Sequence, residues 1–292
     1  MKIYNLGSLN IDYVYSVDHF VSAGETISAV GMKTFPGGKG LNQSVAAARA
    51  GAQVVHGALL GEGAEFLVEQ FLSSGVDVSK IIDSEGSPGH AIIQVNGDGE
   101  NCIMIYPGTN RMLDKDYVSY FLDGAESGDV LLAQNETNCI AEAFEIAHSK
   151  GMKIAFNPSP FDSSIKELPT ELVDLWFCNE IEGALLTGER EPEAICREFL
   201  KTYPDSSLVL TLGEEGSVFC SAGGTVKESA YPATPVDTTA AGDTYTGYFL
   251  ASLAAGLDVK EAMRRASAAS AITVSRPGAS SSIPYLSEVT DG

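Results

Sequence analysis

The chain of 292 residues is 44% apolar and 20% charged, a globular composition, and is long enough to bury roughly three quarters of its unfolded surface. Its formal net charge of −21, from 18 basic and 39 acidic residues, disfavours nucleic acid and anionic membrane surfaces as partners. Five cysteines at 102, 139, 178, 196 and 220 lie scattered, without the paired spacing that a disulfide framework or a structural zinc site requires.

The opening Met-Lys-Ile-Tyr-Asn-Leu-Gly lacks the pattern of a secretory leader, and no apolar run approaches membrane-spanning length. A cytoplasmic protein is therefore expected, ordered except over its last few residues. Short apolar runs at Ile3–Leu6, Val54–Ala58, Val130–Ala133, Lys153–Phe156, Leu175–Cys178 and Leu208–Leu212 predict buried strands. Helices are predicted around 41–50, 64–74, 114–122, 139–150, 180–187 and 192–202, several closed by a glycine suited to a left-handed C-cap. This alternation predicts an α/β fold with right-handed crossovers, a mainly parallel central sheet and helices on both faces.

Two stretches break the alternation. Residues 12–36 carry Tyr13–Val17 and Ile27–Phe35 around a Ser-Ala-Gly turn. Residues 89–107 read as a hairpin, His90–Val95 and Asn101–Tyr106 about Asn-Gly-Asp-Gly-Glu. They predict a small sheet standing off the core, the form a lid takes; an extra layer without motion is the alternative. The expected division is a core of 1–11, 37–88 and 108–292 and a lid of 12–36 and 89–107.

Four motifs carry candidate chemistry. Pro36-Gly-Gly-Lys-Gly-Leu-Asn42 opens an alanine-rich helix, and its glycines allow close backbone approach to a ligand; a solvated turn is an equal reading. It lacks the P-loop spacing, and no G-x-G-x-x-G follows the first strand, which argues against a dinucleotide-dependent oxidoreductase. In Asp237-Thr-Thr-Ala-Ala-Gly-Asp243 the small residues 240–242 lead into a helix whose amides can converge on an anion. Asp243 in its first turn is either a dipole-stabilising acid or a base for the accepting hydroxyl. Asn179-Glu-Ile-Glu182 follows a strand and reads as a capping box or as hard oxygen ligands for Mg²⁺. Asn10 and Asp12 follow the first strand, where they bind hydroxyls or close an Asx-turn.

Together, Gly37–Asn42 and Asp237–Asp243 resemble the two signatures of the ribokinase (PfkB-type) sugar kinase family, in order and at familiar spacing. The likeness extends from Gly7 to about Pro284. It implies a three-layer α/β/α domain with a small antiparallel β lid and ATP-dependent phosphorylation of a sugar primary hydroxyl. Asn10, Asp12, Gly38, Lys39, Asn42 and Glu136 would line the sugar site. Asp243 would be the base, with the amides of Ala241 and Gly242 forming the anion hole and Ala240 beside them in the catalytic segment. Asn179, Glu182, Thr211, Gly213, Gly216 and Gly242 would face ATP, with Glu182 reaching Mg²⁺ through water. A monovalent cation, K⁺, would take the Asp237 and Ser282 side chains and the carbonyls of Thr239, Thr273, Arg276 and Gly278.

Ribokinases are similar in carrying asparagine at position 10, where deoxyribokinases carry an apolar residue, so ribose is the expected acceptor. Another pentose, a ketohexose or a nucleoside is the alternative, and a non-catalytic sugar sensor is the alternative class. Leu41 stands where alanine is usual, and Thr239 where an aliphatic residue is common. The resemblance also implies a homodimer paired through the lid sheet.

Overall fold

The computed structural model describes residues 1–289, so the expectation for the last few residues lies outside the described residues. Thirteen strands form two sheets. The larger has nine strands in the order β13-β12-β11-β10-β9-β8-β1-β4-β5. Six of these were anticipated: β1 (Ile3–Leu6), β4 (Val54–Leu60), β8 (Val130–Gln134), β9 (Lys153–Asn157), β10 (Leu175–Asn179) and β11 (Ser207–Thr211). They pair in parallel as the alternation predicted, joined through helices except between β9 and β10, where two 3-10 turns make the connection. The sequence reading omitted three strands, the edges β5 (Asp77–Asp83) and β13 (Gly224–Glu228) and β12 (Ser217–Ser221) beside β13. Strand β5 mixes charged and apolar residues with much exposure, and the antiparallel β12–β13 hairpin lacks the helix that flags a crossover.

Residues along the central strands alternate between two apolar layers, as the period of two in a pleated strand demands. Val130 and Leu132 enter the layer beneath α1 (Lys39–Arg49), α2 (Glu65–Ser74), α7 (Ala241–Ala254) and α8 (Val259–Val274). Leu131 and Ala133 enter the opposite layer, under α3 (Lys115–Phe121), α4 (Ile140–Ser149) and α6 (Pro192–Thr202). The eighth helix, α5 (Glu180–Thr187), follows β10. Helix α8, also absent from the sequence reading, is rich in alanine and serine and therefore weak in periodic signal; Asp258 caps it by accepting from Glu261 N–H at 2.9 Å.

The smaller sheet has the order β3-β2-β6-β7, from β2 (Asn10–Ser16), β3 (Gly31–Gly37), β6 (Gly89–Val95) and β7 (Asn101–Tyr106). Both outer pairs are antiparallel as expected, and the central β2–β6 pair is parallel. Strand β3 begins at Gly31, later than the predicted Ile27, and carries Pro36 on an edge, where its missing N–H is harmless. The parallel strands of the large sheet end together at Leu6, Gln134, Asn157, Asn179 and Thr211, the end at which open α/β sheets take ligands.

Candidate active site

Helices α1 and α7 approach so closely that a Cβ on Gly247 would lie 2.4 Å from the Ala46 Cβ. That contact brings the first turns of both helices together. Asn42 Nδ2 donates to Asp243 Oδ2 at 2.9 Å, and Gln43 Nε2 donates to Asp243 Oδ1 at 2.9 Å. Asp243 is buried, and each of its oxygens takes an amide donor. Ala240 takes a left-handed backbone (φ 62°), uncommon for a residue with a Cβ and found where local structure is over-determined by function. Its bend starts α7 on the cavity wall. The Ala241 N–H turns to the Thr238 carbonyl at 3.3 Å. The helix-start donors facing the cavity are therefore centred on Gly242 and Asp243, one residue further on than the expected pair.

The predicted sugar residues converge on this carboxylate from three directions. Lys39, at the start of α1, donates its backbone N–H to Glu136 Oε2 at 2.9 Å, and Ser8 Oγ donates to the same oxygen. Burial alone would lower the Lys39 ammonium, but Asp243, Glu136 and Glu182 outweigh it and hold the pKa above the usual value. Burial pushes the Glu136 carboxyl up, against Lys39 and Ser8, which favour its charge. Asp12 lies across Gly37, where a Cβ would come within 2.1 Å of its Oδ2. Burial, aided by Glu136, raises the Asp12 carboxyl to about 7. Gly38 is left-handed (φ 97°) and sits against Ser8, so a side chain there would be strained. Leu41, in place of the usual alanine, is fully buried in the core beneath α1 and does not face the cavity.

Sequence reasoning overlooked Ser8 and Asn110. Asn110 Oδ1 accepts the Leu9 N–H at 2.9 Å, which fixes its nitrogen as a donor to Asn10 Oδ1 at 2.8 Å. The amide nitrogen of Asn10 is thereby left as its free end. The signal was available in Gly108-Thr-Asn110, a polar triplet after the hairpin, but only the tertiary contact gives it meaning.

Beside the sugar residues lies a cavity of about 220 Å³ lined by Lys39, Asn179, Glu182, Gly242 and Asp243 among others. A second cavity of about 510 Å³ adjoins it, sharing Thr211, Thr238, Ala241 and Gly242. It is walled by Gly213, Gly216, Tyr231, Pro232 and Tyr245, and its volume suits a nucleotide-sized molecule. Gly216 is also required by packing, since a Cβ there would meet the Glu228 carbonyl at 2.1 Å. Asn179 and Glu182 form the capping box: Asn179 Oδ1 accepts from Glu182 N–H at 2.8 Å, and Glu182 Oε2 from Asn179 N–H at 3.0 Å. The other carboxylate oxygen remains for a ligand at the cavity wall.

The residues expected around a monovalent cation draw together behind the start of α7. Asp237 Oδ2 accepts the Gly278 N–H at 3.0 Å and Oδ1 the Thr239 N–H at 2.9 Å. Burial opposes its charge, yet these donors hold its carboxyl below the usual range. The Thr273 carbonyl accepts from Arg276 N–H, the Arg276 side chain pairs with Glu288, and Ser282 Oγ donates to the Ala279 carbonyl at 2.7 Å.

A buried carboxylate at a glycine-lined helix start, between a polar pocket and a nucleotide-sized cavity, defines a phosphotransferase acting on a hydroxyl. The profile of the pfkB family carbohydrate kinases matches residues 2–286. The chain is 35% identical to the ribokinase of Staphylococcus aureus over 99% of this chain and 98% of that protein. The Cryptococcus neoformans ribokinase in complex with ADP superposes with a TM-score of 0.87 at 30% identity, covering 99% and 98% of the two chains. The Arabidopsis thaliana ribokinase complexed with ribose and ATP gives a TM-score of 0.89 at 27% identity, with 99% and 97% covered. The chain belongs to the pfkB family of carbohydrate kinases.

Proposed function

We propose that this chain transfers the γ-phosphoryl group of ATP to the primary hydroxyl of ribose, giving ribose 5-phosphate. The observation that carries this reading is the Asp243 carboxylate, held by Asn42 and Gln43 on the wall of the smaller cavity, next to Gly242 where the two cavities meet. The sugar lies among Asn10, Asp12, Gly38, Lys39, Asn42 and Glu136 with its hydroxyl towards Asp243. Asp243 takes the hydroxyl proton as the phosphoryl group moves in line, and the Gly242 and Asp243 N–H groups meet charge on its oxygens. Lys39, kept charged by its carboxylate neighbours, adds a cation at the same place.

Glu182 presents a free carboxylate oxygen that suits a water-mediated Mg²⁺, whose chemistry is to neutralise the polyphosphate. A K⁺ among the Asp237 and Ser282 side chains and the carbonyls of Thr239, Thr273, Arg276 and Gly278 would steady the anion hole, and the Asp237–Gly278 hydrogen bond, which joins the two segments, supports that reading. Equal turnover in K⁺ and in Na⁺-only buffer would remove the cation assignment. Strand β7, an exposed edge with Ile103, Met104, Ile105 and Tyr106 uncovered, supports the reading that two copies pair through the small sheet.

The test is kcat/KM over a panel of pentoses, hexoses and nucleosides with ATP, run on wild type and Asp243→Asn. Ribose should lead the panel, and Asp243→Asn should lower turnover on the order of 10²–10⁴-fold. A nucleoside or hexose in first place would reassign the acceptor, and an Asn variant of near wild-type turnover would remove Asp243 as the base.

A further inference from the structure

Behind Asp243 and its donor Gln43 runs a chain of buried amides whose further members, Asn5 and Gln134, the reaction described so far does not use. Asn5, Gln43 and Gln134 are all fully buried. Asn5 Nδ2 donates to the Gly40 carbonyl at 2.9 Å and to Ser44 Oγ at 2.8 Å. A backbone carbonyl only accepts, so this end of Asn5 is its nitrogen and the other end its oxygen. That oxygen accepts from Gln134 Nε2 at 3.0 Å, and the same nitrogen donates to Gln43 Oε1 at 2.7 Å. Gln43 is left with its nitrogen towards Asp243 Oδ1 and, at 3.3 Å, Asn157 Oδ1. Asn157 is fixed in turn, its own nitrogen donating to the Phe177 carbonyl at 2.7 Å.

Backbone carbonyls at both ends thus set the direction of every amide between them. Turning Gln43 over would set its oxygen against the Asp243 carboxylate and the Asn157 oxygen, and its nitrogen against the Gln134 nitrogen. The arrangement is kept although it leaves Gln134 Oε1 buried with no hydrogen-bond partner among the described residues. An orphaned buried acceptor is a cost that packing alone does not explain.

We propose that Gln43, oriented by Gln134 and Asn5, is a positioning residue that holds the Asp243 carboxylate turned to accept the sugar proton. The proposal rests on the reading of Asp243 as the base. With the N–H of Gln43 removed, the carboxylate loses one of its two amide donors and with it the fixed orientation of that oxygen.

The experiment is kcat and ribose KM for wild type, Gln43→Met, Gln134→Met and Asp243→Asn. Methionine keeps the volume of glutamine and removes its polarity. In Gln43→Met kcat should fall on the order of tenfold with the ribose KM within about threefold of wild type. Gln134→Met, which does not touch Asp243, should lower kcat by less. A folded Gln43→Met with wild-type kcat overturns the proposal. If Asp243→Asn is inactive while Gln43→Met turns over normally, only the role of Gln43 falls; if Asp243→Asn keeps wild-type turnover, the base assignment falls with it. A measurement on the unaltered enzyme covers variants that do not fold. The Gln43 side-chain amide protons should exchange with solvent more slowly than those of exposed glutamines, and exchange at the exposed rate also overturns the proposal.

Discussion

Asp12 and Gly242 show how far single residues here serve the site at the expense of the fold. Because the folded protein raises the Asp12 carboxyl to about 7 from an ordinary value near 4, the folded state holds a proton that the unfolded chain has lost. Stability from this group is complete below about pH 4 and declines as pH rises to about 7. Asp12→Asn should therefore gain in Tm over wild type progressively across that window and level off above it, while the ribose KM rises; parallel Tm curves across pH would contradict the assignment. Gly242 has ordinary helical φ and open space where a Cβ would be, so nothing in the fold requires glycine there. Alanine should leave Tm unchanged or raise stability by up to about 1 kcal/mol, since glycine is the poorer helix former. Its methyl group would stand at the mouth shared by the two cavities, and kcat/KM for ATP should fall at least about tenfold. Thermal melts and steady-state kinetics on one preparation check both halves.

At the scale of elements, the α1–α7 contact is what assembles the base and its two amide donors. Gly247→Ala would drive a methyl group into Ala46 and the backbone of α1, and should cost about 1–3 kcal/mol by overpacking. Activity should fall further than stability predicts, because Asn42 and Gln43 move with α1; kinetics well below the melting temperature separate the two effects. Strand and helix alternation was legible in the sequence wherever an element was buried on a regular period, as in Val130–Ala133. It failed at the edge strand β5, the terminal hairpin β12–β13 and α8, a helix of small residues, whose identity is decided by neighbours. The same division holds in the site. Asp243, Asn42, Lys39 and Glu182 stand in motifs of characteristic spacing. Ser8, Asn110, Asn5 and Gln134 come from separate strands and turns, and only folding brings them to the motif residues.

Taken whole, the molecule carries a strongly acidic field around a site built to hold phosphate, so local donors rather than net charge must attract the nucleotide. The outer edge of the small sheet is the one conspicuous apolar margin among its strands. Ile105→Lys should shift a concentration-dependent dimer to monomer by sedimentation velocity while leaving the core fold intact; a wild-type protein that is monomeric at all concentrations would remove the dimer. The parallel pairing at the centre of that sheet has a consequence for how the protein folds. Strands β2 and β3 form one hairpin-like pair and β6 and β7 another, each local in sequence, but the β2–β6 join links segments on either side of α1, β4, α2 and β5. That join cannot close until the intervening core has organised, because long-range pairings form only after their loop entropy is met. Backbone amides along Asn10–Ser16 should therefore gain protection late in refolding, so the sugar-binding Asn10 and Asp12 would be among the last residues to reach their places.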